Sequence, residues 1–342
     1  MLPIIGHELA VGRLSMALFK SSLGHAYLIR GRPSIGKMTL ALTLAQALNC
    51  RQQEAPCGVC PTCQRIVVGS HPDVQVVALG DVTDDKSNSR TEISIKQVRD
   101  VIQHWANLPA FEGGYRVFII GGAEMLSHEA ANCLLKTLEE PPEKVIFLLL
   151  SSEPSRLPET VISRCQRLDL KPVVAAKIEK ALLARGCKEE KSFLLSRLSR
   201  GCPGWALEAA EDDSVMERRK EHMGGLLELL SSNLEARFEF AEDLSARFAK
   251  KRAEVQERID VLLGIWRDLL MLKVGMSSEI NNLDCKDSMQ LLAGKFDIRG
   301  IRKGIDAVND ASKQLRRNAN PRLVLEIMML DMPVAGLIKI KA

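Results

Sequence analysis

Short apolar runs and helical patterns alternate through the first half of the chain. Residues 25–30, 74–79, 116–120 and 145–150 are nearly continuous in apolar character, as strands buried on both faces are, and 167–170 is a weaker fifth run. Ile95, Val98, Ile102 and Trp105 fall at i, i+3, i+7 and i+10, which predicts one apolar helix face. Ser127 is placed to cap a helix running to Glu140, and Pro141-Pro142 stops it. This alternation predicts a parallel sheet with helices on its faces. Beyond residue 171 the strand signals cease. Residues 177–184 and 191–198 read as short helices, followed by Gly201-Cys202-Pro203-Gly204 and another helix. From residue 214 the pattern is helical almost to the end, with long candidates at 255–272 and 301–317. The expected organisation is α/β plus all-α: an α/β domain over 1–171, a small helical domain over 172–213 and a larger all-helical domain over 214–342.

Composition narrows the function classes. The chain has 342 residues, 46% hydrophobic and 26% charged, which is ordinary for globular domains and argues against wholesale disorder. The longest apolar run, 145–150, is far short of the ~20 residues a membrane helix needs. The opening MLPIIGHELAVGR has no basic stretch followed by an apolar core, so no secretory signal is read and a cytoplasmic location is expected. A net charge of +4 and 4% aromatics argue against a stand-alone nucleic-acid-binding module.

The run at 25–30 leads into Gly31-Arg32-Pro33-Ser34-Ile35-Gly36-Lys37-Met38-Thr39, with a helix to follow. This matches G-x-x-x-x-G-K. The glycines let the loop curl so that its N–H groups and the helix N-terminus face an anion, and Lys37 reaches the outer phosphates. The strand–loop–helix setting favours a phosphate loop over a ligand-free glycine turn. The motif then departs from its pattern. Met38 stands where a Ser or Thr holds Mg²⁺, and a thioether does not replace a hydroxyl toward a hard cation. Thr39 is one residue late and points about 100° away on a helix. After the run 116–120, Gly121-Gly122 occupy the places expected of a Mg²⁺-holding Asp and a water-activating Glu, and Glu124 would need a distorted turn to substitute. ATP or ADP binding without hydrolysis is the expectation.

Cys50, Cys57, Cys60 and Cys63 form C-x6-C-x2-C-x2-C within a Pro- and Gly-bearing stretch that reads as a loop. Four thiolates at this spacing suit a closed, structural Zn²⁺ site at about 50–63. An iron–sulfur cluster is the alternative, less favoured because the fourth cysteine precedes the triplet and the C-x3-C-P continuation is absent. The scattered Cys133, Cys165, Cys187, Cys202 and Cys285 read as small core residues. Arg164 follows the run 145–150 within Leu157-Pro158-Glu159-Thr160-Val161-Ile162-Ser163-Arg164-Cys165. From spacing alone it is either a surface charge or a group that reaches a neighbour's γ-phosphate.

The combination resembles the bacterial replicative clamp loader, an AAA+ assembly, over nearly the whole chain. The resemblance rests on the phosphate loop, the four-cysteine insert after its helix, Leu134-Leu135-Lys136-Thr137-Leu138-Glu139-Glu140-Pro141-Pro142, Ser163-Arg164-Cys165, and Asn318-Ala319-Asn320-Pro321-Arg322-Leu323-Val324-Leu325-Glu326. It implies an AAA+ domain with a zinc module, a helical lid and a C-terminal collar that holds a pentameric ring together. The degraded catalytic positions resemble the family's non-hydrolysing member, a non-catalytic subunit of a DNA polymerase holoenzyme. That likeness implies that Arg164, within Ser163-Arg164-Cys165, completes the ATP site of an adjacent subunit. Trp205 follows Gly204 where the family's second nucleotide sensor has an arginine, so that contact is in doubt. The implied partners are the ATPase subunits (gamma/tau), the delta subunit, and, through the assembled complex, the sliding clamp and primed DNA, with no membrane. An active ATPase subunit and a zinc protein that binds DNA directly are the competing readings.

Overall fold

The computed structural model describes residues 4–79, 92–103, 105, 108–112, 114–249, 251–317 and 319–334. Asn318, in the closing segment singled out from the sequence, lies outside the described residues. Five strands form one parallel sheet: β1 (Ala26–Arg30), β2 (Val74–Val77), β3 (Arg116–Gly121), β4 (Val145–Ser151) and β5 (Gln166–Asp169), in the order β2-β3-β4-β1-β5. The register sets Leu28 opposite Leu149 on one side and Arg167 on the other. Alternate residues feed two cores. Leu28, Phe118, Ile120, Phe147 and Leu149 face Leu134 and Leu138 of the helix His128–Glu139. Ile29, Val117, Ile119, Ile146 and Leu148 face Leu40 and Leu44 of the helix Lys37–Asn49. Burial on both sides is why the central strands carry no polar alternation. β5 lies at the sheet edge with Leu168 its one buried residue, which accounts for the weakness of its apolar signal.

Local chemistry explains the element ends. Ser127 Oγ accepts the Ala130 N–H at 3.2 Å, and the helix it caps stops at Glu139, ahead of the two prolines. The helix expected through Trp105 differs. An α-helical turn, Ile95–Val98, passes into a π-helical stretch, Arg99–Gln103. The wider π turn breaks the 3.6-residue phase. Val98 and Ile102 are buried, while Trp105 is 40% exposed.

The chain divides into two compact units. One comprises 1–178 with 201–205, the other 179–200 with 206–342. The second unit is all-helical, and its longer helices are Ser214–Ser231, Leu234–Phe248, Arg252–Lys273 and Ile298–Arg316. Its core centres on Trp266, whose ring meets Phe296 edge-on at 5.2 Å. Gly304 permits that packing: a Cβ there would lie 2.5 Å from the indole. Among the described residues no helix is long and apolar enough to cross a membrane. The architecture is a five-stranded parallel α/β core with a cysteine insert, followed by helices.

Candidate nucleotide cradle, cysteine centre and surface arginine

The phosphate loop leaves β1 and turns into the helix Lys37–Asn49. Two residues in the left-handed region make the turn, Ser34 at φ 55° and Gly36 at φ 108°. Gly36 is the helix N-cap without a capping side chain, so the first N–H groups of a thirteen-residue helix remain open to an anion. Gly31 is needed for close approach, since a Cβ there would sit 3.0 Å from the Leu170 carbonyl oxygen. The Gly204 N–H, at the start of Pro203–Glu211, donates to Ser34 O at 2.8 Å and pins the loop. Ile35 is buried beneath it, and Thr39 stands exposed.

Lys37 lies folded onto its own loop. Its Nζ donates to Gly31 O (2.6 Å), Arg32 O (2.8 Å) and Ser152 Oγ (2.9 Å). Burial draws its pKa down to about 8, against the opposing charge of Glu124. The Met38 methyl carbon comes within 3.5 Å of where a Gly121 side chain would begin. The two positions at which a Mg²⁺ ligand is expected therefore face each other, one carrying a thioether and the other no side chain. Glu124 does what its sequence position alone did not predict. Gly122, at φ 67°, opens a 3₁₀ turn over Ala123–Met125 that aims the Glu124 carboxylate at the end of β4. There Oε1 accepts the Ser152 N–H at 3.0 Å, and Oε2 is buried with no hydrogen-bond partner. Ser152 thus joins Lys37 to Glu124. Sequence reasoning missed this residue, and the signal was Ser151-Ser152 immediately after an apolar strand.

The four insert cysteines converge. Their sulfurs all lie within 4.8 Å of one another, with Cys50–Cys57 at 3.7 Å and Cys50–Cys60 and Cys57–Cys63 at 3.9 Å. A tetrahedral ion with Zn–S bonds of about 2.3 Å has edges of about 3.8 Å, so the set fits a single zinc ion. Cys60 N–H donates to Cys57 Sγ, and Cys63 N–H to Cys60 Sγ, as in a knuckle built to receive thiolates. The Cys60 N–H foremost, then the Val59 N–H, draw the Cys57 thiol down to about 6, while burial pushes the Cys63 thiol up to about 12. A cation would offset the second effect. The insert is tied to the core by polar contacts that its spacing did not announce. Gln46 donates to Cys63 O, Arg65 pairs with Glu112, and Asn49 Oδ1 accepts the Tyr115 N–H. Beneath it Asp73 is fully buried. Burial pushes its carboxyl up, but the N–H groups of Glu112 and Phe111 and the Arg116 guanidinium outweigh this and hold it below its usual value.

Arg164 follows the short helix Glu159–Ile162 at the surface. It donates to Thr160 O at 2.8 Å and pairs with Glu139, both partners of that ion pair being part-exposed. Ser163 Oγ also donates to Thr160 O, whereas Cys165 is buried and its thiol is pushed up to about 11. Arg164 and Lys37 share no hydrogen-bond partner.

Comparison with known proteins adds the lineage. A family model described as "DNA polymerase III, delta subunit" matches residues 6–174, and one described as "DNA polymerase III, delta subunit, C terminal" matches 217–333. The DNA polymerase III subunit delta′ of Bacillus subtilis (strain 168) is 30% identical over 313 residues, 91% of each chain. That of Pseudomonas aeruginosa is 35% identical over 218 residues, 62% of this chain and 63% of its own. The B. subtilis subunit tau is 26% identical over 96% of this chain, which spans 60% of that protein. Among solved structures, a DNA polymerase III gamma subunit-related protein of Thermotoga maritima is similar over 93% of this chain and 98% of its own, at 17% identity and a TM-score of 0.41. The chain belongs to the delta′ family of DNA polymerase III clamp-loader subunits.

Proposed function

We propose that this chain is a non-hydrolysing clamp-loader subunit that supplies Arg164 to the ATP site of a neighbouring ATPase subunit and braces the ring that places a sliding clamp on primed DNA. The observation that carries the first half is the Met38 methyl against Gly121. With neither hydroxyl nor carboxylate at those two positions, a metal bridging the outer phosphates has no protein anchor there. Glycine at 122 leaves no carboxylate to orient an attacking water at that position.

Arg164 suits action on a neighbour. Its contacts within the chain are a carbonyl oxygen and a part-exposed carboxylate, and exposed ion pairs contribute only ~0–1 kcal/mol. A γ-phosphate offers a bidentate, doubly charged acceptor, which the guanidinium fork prefers. The ATPase partners are gamma/tau-type subunits, the delta subunit completes the ring, and the setting is cytoplasmic. The domain at 214–342 serves as collar and 172–213 as lid. The cysteine insert holds one structural Zn²⁺. All four ligand positions are thiolates, which leaves none for a reacting water.

The test is DNA- and clamp-stimulated ATP turnover by the complex reconstituted with its cognate ATPase and delta subunits. Arg164→Ala, with assembly checked to be equal, is expected to lower turnover at the adjoining site by about 10³-fold or more. Unchanged turnover from an intact complex would reduce Arg164 to a surface charge. Steady ATP hydrolysis by the isolated chain, abolished by Lys37→Ala, would instead make it an active ATPase.

A further inference from the structure

We infer that the phosphate loop takes a nucleoside diphosphate without magnesium, and that Glu124 is the residue that turns a triphosphate away. This rests on reading Gly31 to Lys37 as a nucleotide cradle and adds to that reading which nucleotide enters, in which form.

The cradle itself is intact. Open N–H groups at the start of the helix Lys37–Asn49, the left-handed turn at Ser34 and Gly36 and the Lys37 ammonium are what a pair of phosphates requires. Among the described residues Lys37 bonds to two carbonyl oxygens and a hydroxyl, neutral acceptors that an anionic phosphate oxygen displaces readily.

Beyond the cradle the balance of charge reverses. An ordinary phosphate-loop site meets the third phosphate with a cation held by a hydroxyl and a carboxylate. Here the first position is Met38, whose methyl lies 3.5 Å from where a side chain at the second, Gly121, would begin. A carboxylate lies there instead, with the Arg156 guanidinium on the far side of its turn, bonded to Met125 Sδ. Glu124 is brought in by the 3₁₀ turn, anchored through Oε1 to Ser152 N–H, and left with Oε2 buried and unpaired. Glu124 already acts electrostatically on Lys37, the residue that would carry the outer phosphate. A triphosphate would place further negative charge against a carboxylate that has no room to be solvated, whereas a diphosphate leaves that region empty. Magnesium enters on the wrong side of this balance. In solution it holds nucleotide phosphates, and a site without a metal anchor must strip it off before binding.

Calorimetric titration of the full chain with ADP and with ATP, each in EDTA and in excess Mg²⁺, separates the possibilities. ADP is expected to bind at least about tenfold tighter than ATP in EDTA, like-charge contacts costing that much or more. Excess Mg²⁺ is expected to weaken both, the reverse of an ordinary phosphate loop. Glu124→Gln, which keeps the shape, should tighten ATP about tenfold and leave ADP within about threefold. Lys37→Ala should abolish both. Equal affinity for ADP and ATP in the native chain would overturn the inference. So would ATP binding that Mg²⁺ strengthens and Glu124→Gln removes, since Glu124 would then be a metal ligand. No binding of either nucleotide at millimolar concentration would overturn it as well, yet leave the trans action of Arg164 standing, because that is read from the complex and from another residue.

Discussion

Lys37, the residue proposed to meet phosphate, carries a cost to the fold. Its ammonium is buried against neutral oxygens, and burial draws its pKa from 10.5 to about 8. A lysine with a lowered folded-state pKa destabilises the fold while it is charged in both states. Between about pH 8 and 10.5 the folded chain releases the proton and the unfolded chain still binds it, so stability rises with pH across that window. Lys37→Met keeps the stem and removes the charge. It is expected to stabilise the chain by on the order of 1 kcal/mol at pH 7, a rise of a few degrees in Tm. The difference from the native chain should shrink as pH rises from 8 toward 10.5. Denaturant melts at pH 7 and pH 10 decide it, and a gap that widens with pH would mean that Lys37 is not strained by burial. Much of this site was legible from residue types alone. Met38, Gly121 and Gly122 carry neither hydroxyl nor carboxylate wherever they fold. Glu124 was not legible, because its reach depends on a left-handed Gly122 and a single 3₁₀ turn, which sequence spacing does not encode.

At the scale of elements, the cysteine insert is the clearest case of spacing that specifies geometry. C-x2-C brings two sulfurs to one side of a point, and the structure draws all four to within 4.8 Å. The native chain is expected to carry one zinc ion by elemental analysis, and Cys57→Ser to retain less than half of it, since three thiolates leave a weaker site. Loss of zinc should also raise amide exchange in the short helix Pro61–Val67, which Cys60 caps. A native chain without zinc, or coloured by iron, would overturn the assignment. The strands were equally legible, because both-face burial writes itself as unbroken apolar runs. One strand was legible only faintly, and one helix was misread in its period. β5 sits at an edge and shows one buried position, and the segment after Val98 runs as a π-helix, whose longer turn shifts Trp105 away from the face that a 3.6-residue period assigns to it. Helix period is a statement about hydrogen-bond register, and a register change is decided by packing rather than by composition.

For the molecule as a whole, the helical half poses a problem that its sequence pattern hides. Amphipathic periodicity locates the helices but not what joins them. Arg237, on the helix Leu234–Phe248, is fully buried, and no carboxylate lies within ion-pair reach among the described residues. Its guanidinium donates instead to Leu229 O and Leu230 O, at the end of Ser214–Ser231, and to Met332 O and Pro333 O, just past Pro321–Asp331. Two helix C-termini converge on one cation, so the orphan carbonyls and the negative ends of both dipoles are satisfied together. Burial alone lowers the pKa of the group, yet a guanidinium stays charged under any ordinary condition. The contacts span more than 90 residues of chain and end on backbone oxygens, which is why nothing in the sequence marks this arginine. Arg237→Met removes the guanidinium donors from the carbonyls of Leu230, Met332 and Pro333, while Leu229 O keeps the Ser232 N–H and hydroxyl. It is expected to destabilise the second unit by about 3 kcal/mol. Arg237→Lys should recover only part of this, because one ammonium does not reach both helix ends with the same fork. A chain of two compact units need not unfold in one step, so scanning calorimetry is the suitable readout. The prediction is a lowered transition in the variant with ADP binding at the phosphate loop unchanged. An unmoved melting profile would mean that water replaces the guanidinium at both helix ends, and that helix packing alone holds this half together.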